Sequence, residues 1–233
     1  MGVSFTARTM ALQRAFESAR SAESRLFTDP LTDAFLPRPL RALADLARLP
    51  VLGGAVPRLY DLAFPGPRPS AVARTRLIDD TVVDLVRAGV GHIVILGAGF
   101  DSRAWRLPQL RATRVVEVDR PNTQTAKAAA VRAAGESVDH VRFVPVDFET
   151  DDLTTALRGA GVGCGEPVVF VWEGVTNYLT AQAMDATLAA LRGIGGAGSM
   201  LLFTYVHRGV LDGTATFPES RRWVKSVARV GEP

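Results

Sequence analysis

The run Ile93-Val94-Ile95-Leu96-Gly97-Ala98-Gly99-Phe100-Asp101-Ser102-Arg103 constrains the fold of this chain more than any other segment. Four apolar residues lead directly into Gly97-Ala98-Gly99. The pattern predicts a buried strand that ends in a turn whose backbone comes very close to another group. Glycine lacks a Cβ and admits dihedrals that other residues avoid. In α/β sheets, a turn of this kind at the carboxyl end of the first parallel strand is where nucleotide-like cofactors bind. An acid that holds a ribose is expected about 20 residues further on. Val115-Val116-Glu117-Val118-Asp119 supplies it at the end of a second apolar strand.

Two cofactors compete for this pattern. A dinucleotide fold calls for a third glycine, so that the first helix can pack on the strand; Ser102 stands there. Asp101 also sits where a pyrophosphate would want bare helix N–H groups, and an acid there repels phosphate. S-adenosylmethionine (SAM) has no phosphate; it carries a sulfonium, an amino acid end and an adenosine. A glycine turn beside acids suits it better.

Length and composition set the remaining bounds. The 233 residues suit one good-sized domain, and 47% hydrophobic content is enough for a large core. No apolar run approaches the ~18 residues that span a bilayer, and no signal peptide is visible. The single cysteine, Cys164, excludes an internal disulfide, is read as a bystander, and fits a reducing cytoplasm. Net charge is +3, and the arginines are scattered among acids rather than gathered in a stripe. This disfavours nucleic acid as a partner. The acids come without nearby histidines, since His92, His140 and His207 lie away from the acidic strand ends, so no metal is expected.

The first 69 residues read as a helical lid, with helical patterns near 7–20 and 39–49 and a proline cluster at 64–69 marking a boundary. Residues 70–233 read as the core. A helix over 70–88 stops at Gly89. Strands then alternate with helices: 93–96, 114–118, 141–146, 168–172 and 199–206 are strands, and helices cover about 121–134, 151–158, 181–192 and 219–229. Pro121 lies in a first turn and Thr180 reads as an N-cap. Regular alternation predicts a parallel sheet with helices on its faces. Successive strands end at Gly97, Asp119, Asp147 and Glu173, which should converge on one crevice.

These residues also resemble a known family. Ala73-Arg74-Thr75-Arg76-Leu77-Ile78-Asp79-Asp80, the Leu96–Leu107 segment, Glu117-Val118-Asp119-Arg120-Pro121, Val146-Asp147-Phe148 and Trp172–Leu179 are similar to the leucine carboxyl methyltransferase family. Closest in kind is its bacterial branch of SAM-dependent O-methyltransferases, common in actinobacteria. The resemblance implies a class I, Rossmann-like, doubly wound α/β fold. It also implies a SAM contact at Arg74 for the methionine carboxylate, and backbone contacts from Gly97, Ala98 and Gly99. Asp119 would take the ribose hydroxyls, Asp147 and Phe148 the adenine, and Glu173 the amino acid end and sulfonium. A basic residue near the N-terminus contacts SAM in some members; Arg14 and Arg20 both qualify. Tyr178, Tyr205 and His207, at or just after strand ends, are the candidate catalytic residues. The substrate is expected to be a small molecule with a carboxylate or hydroxyl acceptor. A non-catalytic SAM-binding protein and an NAD-type oxidoreductase are the alternatives.

The sequence stops at Pro233, whereas the family usually continues into further edge strands. The C-terminal edge strands are therefore expected to be lacking, leaving 199–206 as an apolar edge. A chain of this form is expected to pair with a second copy through that edge, to aggregate, or to be part of a longer product.

Overall fold

The computed structural model describes residues 5–215 apart from Pro65 and Cys164. The reading of Cys164 and the helix expected at 219–229 lie outside the described residues. The chain divides into two compact units. One holds Ile78–Tyr205; the other holds the described residues before Ile78 together with 206–215. Among the described residues no helix is long and apolar enough to cross a membrane.

The first unit contains five strands: β1 (His92–Leu96), β2 (Arg114–Asp119), β3 (Val141–Pro145), β4 (Val168–Trp172) and β5 (Met200–Phe203). They form one sheet in the order β3-β2-β1-β4-β5, and every pairing is parallel. The order runs outward one way from β1 through β2 to β3, then jumps to the other side for β4 and β5. This is the Rossmann-like class I arrangement, and the reversal between β1 and β4 opens a crevice at the carboxyl edge of the sheet. β1 and β4 are buried at every position, as near-continuous apolar runs in a parallel sheet should be. One face carries Val94, Leu96, Val116, Val118, Phe170 and Trp172 against Leu157, Leu191 and Ile194 of the covering helices.

The helices of this unit follow their local signals. α5 (Pro67–Arg87) ends at Gly89, whose φ of +101° lets Val90 N–H reach the Leu85 carbonyl and Gly89 N–H that of Val86. α6 (Arg103–Arg106) is only four residues long and leads into a 3-10 turn at Pro108–Ala112. α7 (Pro121–Ala133) starts on its proline. α8 (Leu153–Gly159) is capped by Asp152, whose carboxylate accepts from Thr154 and Thr155 N–H. A hydrogen bond from the Thr155 hydroxyl at 2.6 Å, together with those two N–H bonds, lowers the Asp152 pKa. α9 (Ala181–Ile194) is capped by Thr180 as expected. The strand expected at 199–206 is shorter, Met200–Phe203, because the chain leaves the sheet after Thr204 N–H reaches the Trp172 carbonyl. Among the described residues β5 pairs with β4 alone.

The second unit is helical: α1 (Phe5–Ser18), α2 (Thr32–Phe35), α3 (Arg38–Ala47), α4 (Ala55–Ala63), the start of α5, and α10 (Arg208–Leu211). α4 was not expected from the sequence; Gly53, Gly54 and Pro57 give its start the composition of a loop. Pro57 falls in the first turn, where a missing N–H costs nothing. Tyr60 of α4 packs edge-on against Phe16 of α1 at 5.5 Å and its hydroxyl accepts from Gln13 at 3.1 Å. Asp29, between α1 and α2, is buried, accepts from Arg14 Nε at 2.8 Å, and caps the turn through Leu31 N–H.

One feature of β2 was hidden in the apolar pattern. Glu117 is fully buried in the sheet, and Lys127 of α7 reaches it at 2.6 Å. Burial outweighs Lys127 and pushes the Glu117 carboxyl up to about 7. The folded state therefore holds this proton more tightly than the unfolded chain. Stability from this group is present below about 4.5 and is lost as pH rises through about 7. Unfolding titrations between those values should show that slope, and Glu117→Gln should flatten it. Lys127→Met alone, which strands a buried acid, should cost about 3–5 kcal/mol. The double replacement Glu117→Leu/Lys127→Met should cost far less, or stabilise, as measured by chemical denaturation.

Candidate functional site

The carboxyl edge of the sheet gathers most of the residues singled out from sequence. β1 ends at Leu96, and the turn that follows holds Gly97 at φ +62° and Gly99 at φ +44°. Both conformations favour glycine. The close approach expected of this turn is made, in part, by the protein itself. A Cβ on Gly97 would lie 2.4 Å from Cγ2 of Val175, in the loop after β4. The topological reversal brings those two loops side by side.

Asp119 closes the turn from the neighbouring strand. Its Oδ2 accepts from Gly99 N–H at 2.6 Å and its Oδ1 from Arg120 N–H at 2.7 Å. Each oxygen keeps a further lone pair for an incoming hydroxyl. Asp147 lies two residues beyond β3 and pairs with Arg120 at 3.2 Å. Phe148 packs its ring against the core beneath. Glu173 follows β4 directly, and its Oε2 accepts from Arg103 Nη2 at 2.7 Å.

Behind the turn lies a buried ion network. Arg103 is 3% exposed. Its Nε donates to Asp79 of α5 at 2.8 Å, its Nη1 to Asp101, and its Nη2 to Glu173. Arg106 adds two more bonds to Asp79. Burial opposes the charge of Arg103, but Asp101, Glu173 and Asp79 outweigh it and hold its pKa well above the ordinary arginine value. Burial likewise opposes ionisation of Asp101. Arg103, Lys127 and Arg106, with the Arg103 N–H, overcome it and hold the carboxyl down at about 2. Sequence reasoning gave Asp79, Arg103 and Arg106 no role, although all three lie in quoted motifs. The signal was there: two arginines three apart flanking a tryptophan, next to an acid, are poor candidates for a simple exposed face.

The chemistry of this edge is anionic and lacks a phosphate cradle. Helix α6 is too short for a strong dipole, Asp101 accepts from its first N–H at 2.7 Å, and Ser102 Oγ is engaged by Arg106 Nε at 3.2 Å.

Of the remaining candidates, Tyr178 and Tyr205 follow β4 and β5, and the others belong to the second unit. Tyr178 ends a 3-10 turn at Thr176–Tyr178 and is 38% exposed. Tyr205, beyond β5, is exposed with its ring 6.0 Å from that of Phe203. His207 belongs to the other unit, where its Nδ1 accepts from Gly209 N–H at 3.1 Å and caps α10. Arg74, also in that unit, donates to Met10 Sδ at 3.1 Å. Arg14 pairs with Asp29 at 2.8 Å and Arg20 with Glu17 at 3.1 Å.

Residues 7–192 match the family described as leucine carboxyl methyltransferase. The chain belongs to the leucine carboxyl methyltransferase family. Its relatives include actinobacterial proteins named as S-adenosyl-L-methionine-dependent methyltransferases. One from Frankia alni is 36% identical over 91% of this chain and 71% of its own length. One from Streptomyces coelicolor is 35% identical over 91% and 72%. Among solved structures, an O-methyltransferase of neocarzinostatin biosynthesis aligns at 20% identity and a TM-score of 0.41, covering 78% of this chain and 55% of that one. Membership in the leucine carboxyl methyltransferase family makes SAM-dependent methyl transfer the reaction class of this chain.

Gly97→Ala should destabilise the family's glycine turn in this chain by about 2–4 kcal/mol, combining left-handed strain with overpacking against Val175. Val175→Ala in the same chain should recover only the packing part, as read from denaturant midpoints.

Proposed function

We propose that this chain is an O-methyltransferase that moves a methyl group from SAM to a carboxylate or hydroxyl of a small molecule. The observation that carries the reading is the Asp119–Gly99 clamp at the reversal between β1 and β4. It presents an oriented acid beside a glycine turn that offers nothing to a phosphate. SAM supplies a methyl group on a sulfonium leaving group.

The donor set fits that molecule. Asp119 receives the ribose hydroxyls. Asp147 accepts from the adenine amino group while Phe148 meets the ring, which requires the exposed Arg120 guanidinium to yield. Glu173 faces the amino acid end and sulfonium, Gly97, Ala98 and Gly99 pass beside it through their backbone, and Arg74 offers a fork for the methionine carboxylate. Residues 1–69 serve as the substrate-selecting cap and 70–233 as the methyltransferase core.

Transfer is an in-line displacement, so the protein chiefly aligns the reactants and removes water. A carboxylate acceptor is already ionised at neutral pH and needs no base. Tyr178, Tyr205 and His207 then bind substrate rather than move a proton. The Nδ1 of His207 is already occupied by the Gly209 N–H, which leaves only Nε2 to face a substrate. A cytoplasmic location follows from the same reading.

SAM or S-adenosylhomocysteine should raise the melting temperature and give measurable heat on titration. Asp119→Asn should weaken SAM binding by about tenfold or more, since a charge-assisted hydrogen bond contributes roughly 1.5–3 kcal/mol. Full affinity in that variant, or no binding by the folded wild-type chain, overturns the assignment. With a carboxylate acceptor, single-turnover rates should be flat around neutral pH, and substitutions at Tyr178, Tyr205 or His207 should move KM more than kcat.

A further inference from the structure

We infer that Arg103 is a positioning residue of the cofactor site: it fixes Glu173 toward the amino acid and sulfonium end of SAM. The inference rests on the SAM reading above and adds to it a residue that neither the glycine turn nor the acidic strand ends identify.

The geometry is that of a hub. A guanidinium has three donor nitrogens, carrying five N–H groups, in one rigid plane. Each of the three in Arg103 is engaged by a carboxylate from a different part of the fold: Asp79 on α5, Asp101 in the glycine turn, and Glu173 at the end of β4. The plane of the side chain therefore sets where the Glu173 carboxylate can lie. The Arg103–Asp79 contact anchors the hub from behind, since both residues are buried and Asp79 is in turn held by Arg106. Asp101 locks the hub to the turn twice, through the guanidinium and through Arg103 N–H at 2.7 Å.

A hydrogen-bonded, nearly dehydrated carboxylate cannot swing to meet a ligand as a surface glutamate can; Glu173 is 12% exposed at its side chain. Its orientation must be built before the ligand arrives, which lowers the ordering cost of binding. Lysine cannot replace this function. Its ammonium is a single point of charge and cannot hold three carboxylates in one plane.

The test separates positioning from general structural damage by using two ligands. SAM carries the amino acid and sulfonium; 5′-methylthioadenosine carries the same nucleoside without either. Both are titrated into the folded wild-type chain and into Arg103→Lys. The expected result is a loss of about tenfold in SAM affinity, the effect of one misaligned charge-assisted hydrogen bond, with methylthioadenosine affinity unchanged. Equal weakening of both ligands, or no change in either, overturns the inference while leaving the SAM reading intact. Failure of the wild-type chain to bind either ligand overturns both. Should Arg103→Lys not fold, Asp79→Asn withdraws the rear anchor without touching Glu173. The SAM to methylthioadenosine affinity ratio should then fall by about threefold, and an unchanged ratio overturns the inference.

Discussion

Strand β1 has no free edge. It pairs parallel with β2 on one side and β4 on the other, and its side chains are buried on both faces. The chain leaves it at the carboxyl end, at the point where the strand order reverses. Everything that gives the site its shape follows from that exit. The register that aligns Leu96 with Val118 places Asp119 one residue beyond, within reach of Gly99. The pairing with β4 brings the loop at Val175 over Gly97. The acids converge because parallel strands start and stop together.

The alternation of strands and helices was legible in the sequence because buried parallel strands read as short apolar runs, and Ile93–Leu96 and Val168–Trp172 are such runs. The caps at Thr180 and Gly89 were legible because each needs a specific residue type. Helix α4 was not, since the two glycines before it and Pro57 mimic a loop and its contact with Phe16 is non-local. The acidic ends at Asp119 and Glu173 could be read from strand position. The ion network that holds Glu173 could not, because Asp79 and Arg103 come from segments 24 residues apart and meet only in the folded chain. Glu117 was read as one more residue of an apolar strand, and only the fold shows that a lysine from α7 comes with it.

The electrostatic economy of the first unit is unusual in one respect. Its buried cations are embedded near the site rather than spread over the surface. Arg103 serves three carboxylates, and Lys127 serves Glu117 with its ammonium 5.4 Å from the Trp105 ring centroid. Such pairs add little net stability compared with apolar packing of the same volume, but they tolerate few alternative arrangements. The glycine turn, the end of β4, α5 and α6 are held together by directional contacts, where oily packing alone would permit sliding.

The sequence contains two lysines, Lys127 and Lys225, and the first is sealed from solvent with its Nζ against Glu117. An amine-directed reagent reaches that nitrogen only when α7 parts from the sheet. Lys127 is thus a built-in clock for the opening of the α7 side of the sheet. Its rate of chemical labelling, followed by peptide mass, reports local unfolding at one atom without any engineered probe.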